Sequence, residues 1–274
     1  MKEGCTGALS ERFYLSSEQQ EMQRSEHGLD LEGLLRSLVS GAQPLAVAPI
    51  SGFQVVAAGA NARGEIFLGV NLEFCGTTFA QTVHAEQFLL SLSRTYSSSP
   101  LVKIAVSAPP CGHCRQFLKE FDREGELEIL IGNEPATSMG ALFPRSFGPA
   151  DLDVSEPFYV EPPELPEGGD LEEAARRAAR HSYVPYSGSR AGVAVRTEEG
   201  RIFCGAALEN AAYNPTLPPL QAAIISAYAA GFPPHRIVEA VLCQSDKNVI
   251  NYETQMHELA SVLGAGAVCR AICF

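Results

Sequence analysis

The chain has 274 residues, 46% hydrophobic and 19% charged, enough to bury one large core or two small ones. Its formal net charge of −12, with no dense run of Lys and Arg, argues against gripping a polynucleotide, and no apolar stretch approaches the roughly 20 residues of a membrane span. No apolar signal core follows Met1-Lys2-Glu3-Gly4-Cys5, so the reading is a soluble, cytoplasmic protein. Its scattered cysteines (Cys5, Cys75, Cys204, Cys243, Cys269, Cys273) are then reduced and mostly buried.

Residues 1–47 read as an N-terminal helical extension. They are polar at first, and then Leu31, Leu34, Leu35 and Leu38 fall at helical spacing behind Asp30 as N-cap. Two β-patterned segments, 53–58 and 65–73, flank Asn61-Ala62-Arg63-Gly64 and predict a hairpin. A helix over 83–94, a strand over 101–108, a helix over 110–121 and a strand over 127–131 follow, which is an α/β layer pattern. This first unit spans 48–150, and a linker rich in Pro, Gly and acids spans 151–169. A second unit spans 170–274 and opens on a helix in which Glu172 and Glu173 pair with Arg176, Arg177 and Arg180.

The two units are repeats. Pro49, Ser51, Gly52, Gly64, Gly69 and Glu73 recur 136 residues on, without a gap, as Pro185, Ser187, Gly188, Gly200, Gly205 and Glu209. Continued in that register, His84, Ala85 and Glu86 fall opposite Leu220, Gln221 and Ala222, and no Pro-Cys-x-x-Cys follows in the second half. The second copy therefore reads as a scaffold without the site.

Cys111-Gly112-His113-Cys114 is ambiguous by itself, because such pairs serve redox, structural zinc and catalytic zinc sites. A structural zinc needs a fourth protein ligand. His113 is a candidate, although its place between the cysteines points it elsewhere. Pro110 suits a first helical turn, whose free N–H groups favour thiolates. His84 and Glu86 are two apart and diverge by about 200° on a helix, so they serve one site only if they open the helix with the metal beyond its end. His-x-Glu followed by Pro-Cys-x-x-Cys is the zinc deaminase signature.

At this point the chain resembles the cytidine deaminases, in their longer two-domain bacterial and plant-like form. The resemblance rests on Gln81-Thr82-Val83-His84-Ala85-Glu86-Gln87, Pro110-Cys111-Gly112-His113-Cys114-Arg115-Gln116-Phe117, Phe147-Gly148-Pro149 and the run from Glu209 to Gln221. It covers most of the chain from Pro49 onward. It implies a three-layer α/β/α domain with a mixed sheet, duplicated, with the second copy degenerate. It also implies one zinc per chain on His84, Cys111 and Cys114, with Glu86 a proton shuttle and not a ligand. The implied reaction is hydrolytic deamination of cytidine and 2'-deoxycytidine in pyrimidine salvage, by a homodimer with no polynucleotide or membrane partner. Asn71 and Glu73 would reach the sugar, Phe53 would pack on the pyrimidine, and the Pro109 carbonyl would orient the amino group. From the residues alone, Asn71 and Glu73 share one face of a predicted strand, which equally suits an exposed face, and Phe53 equally suits a core position. A cytidylate deaminase, a polynucleotide deaminase and a zinc-stabilised scaffold remain as other readings.

Overall fold

The computed structural model describes residues 10, 12–162 and 170–273. Cys5 and the end of the linker lie outside them. The N-terminal stretch is more than a helical appendage. Its strand β1 (Tyr14–Leu15) joins the first sheet, followed by α1 (Ser17–His27) and α2 (Leu31–Gly41). Asp30 caps α2 by accepting from Gly33 N–H, as the sequence predicts.

The hairpin forms from β2 (Val56–Asn61) and β3 (Ile66–Val70). The Asn61 side-chain oxygen accepts from Arg63 and Glu65 N–H, and Gly64 takes a φ of 79° that its turn requires. Both strands are buried throughout, which accounts for the weak period-two signal in their sequence. Next come α3 (Ala85–Tyr96), β4 (Leu101–Val106), α4 (Gly112–Leu118), β5 (Glu128–Ile131), β6 (Thr137–Ser138) and α5 (Met139–Leu142). The sheet order is β1-β3-β2-β4-β5-β6, and the β4–β5 pair is the parallel one.

The second half repeats the plan with α6 (Leu171–Arg180), β7 (Ala191–Thr197), β8 (Ile202–Ala206), α7 (Pro219–Ala229), β9 (Ile237–Gln244), α8 (Glu253–Ala260) and β10 (Val268–Cys273). Its order, β8-β7-β9-β10 with β9 and β10 parallel, matches β3-β2-β4-β5 strand for strand. On α6, Arg176 pairs with Glu172, and Arg177 and Arg180 with Glu173, as expected.

Helices cover both faces of the sheet. A Cβ on Gly192 would strike the backbone of Ala178 and Ala179 on α6. One on Gly205, which is paired with Val193 and so faces the other way, would strike Ala223 N and Pro219 O on α7. In the first half, α2 packs on β2 and β4 as α6 packs on β7 and β9, so α2 is built into the first copy's layers. A continuous apolar core runs through both halves, from Phe13 to Leu263, with a smaller cluster under α6.

The structure corrects the register beyond the ungapped match. Leu72 bridges Val83, eleven residues on, whereas Leu208 bridges Leu217, nine residues on. Two residues are therefore missing from the second copy, and His84, Glu86 and Gln87 stand opposite Pro218, Leu220 and Gln221. The glycine contacts agree, since Gly69 meets Ala85 O and Leu89 N where Gly205 meets Pro219 O and Ala223 N. By β4 and β9 the offset is 136 again, with Ala57 paired to Val106 and Val193 to Leu242.

Gly205→Ala is expected to cost about 2–3 kcal/mol or to block folding, because backbone on both sides must move. Gly41→Ala, whose added Cβ meets nothing within 4 Å, should be neutral or stabilising by up to ~1 kcal/mol. Equal urea midpoints for the two variants would contradict the close contact between α7 and β8.

Candidate metal centre

Two chain reversals bring two helix starts together. The Leu72–Val83 bridge turns the chain so that His84 becomes the N-cap of α3, and the Gln87 side-chain oxygen accepts the His84 N–H at 3.2 Å. After β4, Pro109 and Pro110 turn the chain so that Cys111 becomes the N-cap of α4, with Cys114 in its first turn. His84 Nδ1 then lies 3.6 Å from Cys111 Sγ and 3.4 Å from Cys114 Sγ, and the sulfurs are 3.5 Å apart. Zinc bonds of about 2.3 Å to sulfur and 2.0 Å to nitrogen, set tetrahedrally, place such atoms about 3.5–3.8 Å apart. The triangle fits zinc, and it is the one such group of ligands among the described residues.

The electrostatics point the same way. Cys111 is pushed down to about 3, first by its hydrogen bond with Cys114, then by His84 and by the Cys114 backbone N–H at the helix start. Cys114 is driven up by the neighbouring Cys111, by burial and by Glu86. The two sulfurs thus divide one proton, and a dication is what lets both be thiolates together. His84 is raised, because the Cys111 sulfur outweighs burial.

Glu86 is 3% exposed and holds a carboxylate oxygen 3.1 Å from Cys114 Sγ. Burial lifts it above the usual carboxylate range, against the hydrogen bond from Cys114. It sits on the first turn of α3, beside the triangle, and its counterpart Leu220 carries no acid. His113 is outside the triangle. Its ring stacks on His84 with centroids 4.9 Å apart, and burial lowers its pKa.

The sugar-side residues lie differently from their sequence reading. β3 ends at Val70, so Asn71 and Glu73 stand beyond the strand and not on its face. Asn71 is buried, donates to Phe53 O and accepts from Val55 N–H. Glu73 accepts from Ile50 N–H, Ser51 N–H and the Ser51 hydroxyl. Although burial acts to raise it, these bonds hold its pKa below the usual value. Glu209 makes the same set of contacts with Tyr186 and Ser187. Phe53 is 60% exposed and is no core residue.

His84 and His113 also face an open cleft of about 890 Å³ whose far wall is second-half surface, including Tyr186, Glu209, Tyr213 and Tyr252. Among the described residues, no Lys or Arg lines it. Sequence reasoning missed Arg115. Its Nε donates to Pro110 O and its guanidinium to Leu142 O, which fixes the turn ahead of Cys111. An arginine directly after a Cys-x-x-Cys gives no local sign of which carbonyls it reaches. Of the scattered cysteines among the described residues, only Cys204 and Cys243 are buried, fewer than expected.

Residues 32–126 and 139–257 each match the family described as cytidine and deoxycytidylate deaminase zinc-binding region. Cytidine deaminases from Yersinia pestis (strain Pestoides F) and Yersinia pseudotuberculosis (serotype O:1b, strain IP 31758) are each 39% identical over 93% of this chain and 88% of their own. Among solved structures, cytidine deaminase from Mycobacterium leprae is 27% identical over 43% of this chain and 100% of its own, with a TM-score of 0.38.

Metal analysis is expected to return one zinc per chain, and none for Cys114→Ala. Two zinc ions per chain would place a second site in the other half.

Proposed function

The chain belongs to the cytidine deaminase family, and we propose that it replaces the 4-amino group of cytidine and 2'-deoxycytidine with oxygen from water, releasing ammonia and uridine or 2'-deoxyuridine. The observation that carries this is Glu86, a buried acid against the ligand triangle, for which a structural zinc site has no use. In this reading His84, Cys111 and Cys114 hold zinc. When bound, zinc supplies a pKa near neutrality for water, so that hydroxide is available at physiological pH. Glu86 takes the proton from the attacking water, passes it to ring N3, and then delivers the second proton to the departing amine. Its raised pKa suits a group that must be both base and acid.

Asn71, Glu73 and Phe53 are assigned to the substrate. The Asn71 amide has a second N–H beyond the one used on Phe53 O, and Glu73 has lone pairs beyond those used on residues 50–51. Both can therefore meet sugar hydroxyls while holding the loop that presents the exposed Phe53 ring. A cleft wall without Lys or Arg among the described residues favours a nucleoside over cytidylate or a polynucleotide, whose phosphates need cations.

We further assign a cytoplasmic location and a homodimer. No helix among the described residues is long and apolar enough to cross a membrane. The cleft is rimmed by Phe79 (81% exposed), Tyr213 and Val249 (79% exposed), apolar groups that a second copy can cover. Residues 48–150, with α2 packed on their sheet, form the catalytic unit in this reading, and 170–274 the non-catalytic copy.

Glu86→Gln should keep its zinc and lose roughly 10²–10⁴-fold or more in turnover. Near-normal ammonia release by that variant would sink the mechanism. Compared side by side, cytidine and deoxycytidine should react, whereas cytidylate and a single-stranded oligonucleotide should not. Light scattering should give twice the chain mass, and a fully active monomer would refute the dimer.

A further inference from the structure

Glu120, just beyond the end of α4, is fully buried and makes no salt bridge among the described residues, Arg123 acting on it through charge alone. All three of its hydrogen-bond donors come from the second half. Tyr183 and Tyr186 donate their hydroxyls to one oxygen, and Ala211 donates its N–H to the other at 2.9 Å. Four residues earlier the Asn210 side chain, itself fully buried, donates to Gln116 O at 2.9 Å. These contacts grip the segment that carries Cys111 and Cys114, and they grip it from one side only.

The grip is not part of the repeat. The first-half counterparts of Tyr183, Tyr186 and Asn210 are Val47, Ile50 and Phe74, none of which offers a side-chain donor. A duplicated scaffold needs no such asymmetry. Nor is net stability a sufficient reason, since burying a carboxylate costs several kcal/mol before its hydrogen bonds offset it. Buried polar networks instead fix one geometry among several that an apolar contact would allow. Three directional donors, two on one oxygen and one on the other, hold the carboxylate in one orientation.

We propose that Glu120 is a positioning residue, through which Tyr183, Tyr186 and Ala211 of the non-catalytic half set the place of α4 and so the geometry of the two cysteine ligands. The inference rests on the zinc assignment above, and its test separates the two. Wild type and variants are loaded with Co(II), whose visible band reports the ligand geometry, and zinc loss to a chromophoric chelator is timed. Glu120→Gln puts an amide NH₂ against a donor while keeping the volume. It should stay folded by circular dichroism, shift or weaken the cobalt band, and lose zinc about 10–100-fold faster, the range for groups that orient metal ligands. Ser226→Ala removes buried hydrogen bonds to Cys204 O and Ala222 O within the second half, and should leave band and release rate unchanged.

An unchanged band and unchanged release in folded Glu120→Gln would overturn the proposal. So would equal effects from Ser226→Ala, which would mark a merely structural role. Should Glu120→Gln fail to fold, Tyr186→Phe removes one donor and carries the same test with the same outcomes. Wild type that takes up no stoichiometric cobalt would overturn the metal assignment instead.

Discussion

Two sulfurs, an imidazole and a carboxylate share one corner of the first half, with Glu86 3% exposed and Cys114 buried. Such a corner cannot hold two thiolates and a carboxylate without a cation, because burial disfavours each charge and each anion disfavours the next. Protons respond first: Cys111 falls, Cys114 rises and Glu86 rises. A dication would satisfy the thiolates, and in the proposed reading it would leave Glu86 as the group that gains or loses a proton. The helix starts of α3 and α4 supply part of the field, but the ligand set requires the ion.

The repeat shows which features the fold needs and which the chemistry needs. Gly69 and Gly205 recur because a helix backbone lies against each, and Glu73 and Glu209 recur because each ties down the turn ahead of a core strand. His84 and Glu86 have no such duty, and Pro218 and Leu220 stand at their places. Proline there still begins a helix, and leucine still fills the space. Glu73 therefore has a structural role whatever it does with a sugar, whereas Asn71, opposite Ala207, belongs to the first half alone.

The cluster of His84, Cys111 and Cys114 with Glu86 beside it was legible from two motifs at a set spacing, and the hairpin and the α/β alternation from residues close together in the chain. The motif spacing carried the site, and the ungapped run carried the duplication. Three features were not legible. The two-residue slip after Glu73 lies in a loop, where the pattern is too weak to register a deletion. The end of β3 at Val70 came from competition: Asn71 and Glu73 spend their polar atoms on residues 50–55, which a strand-face reading cannot foresee. Glu120 looked like any surface acid in the last turn of a predicted helix, since its partners lie 63 to 91 residues away.

The slip itself has a structural use. The longer first-half loop carries a single helical turn, Phe79–Gln81, that reaches across to the second half. There Glu258 on α8 accepts from Thr78 N–H and from the Gln81 side chain, while Gln221 donates to Gln81 O. Gln87 returns the contact by donating to Pro215 O, so the two copies exchange glutamines across their junction. The second half thus holds the approach to His84 through α7 and α8, and the cysteine segment through Tyr183, Tyr186, Asn210 and Ala211. The shared apolar core supplies the driving force for joining the halves, but such packing is non-directional. A ligand triangle tolerates errors well under 1 Å, and directional hydrogen bonds on both of its arms give that precision. The half without a metal ligand is in this sense part of the site.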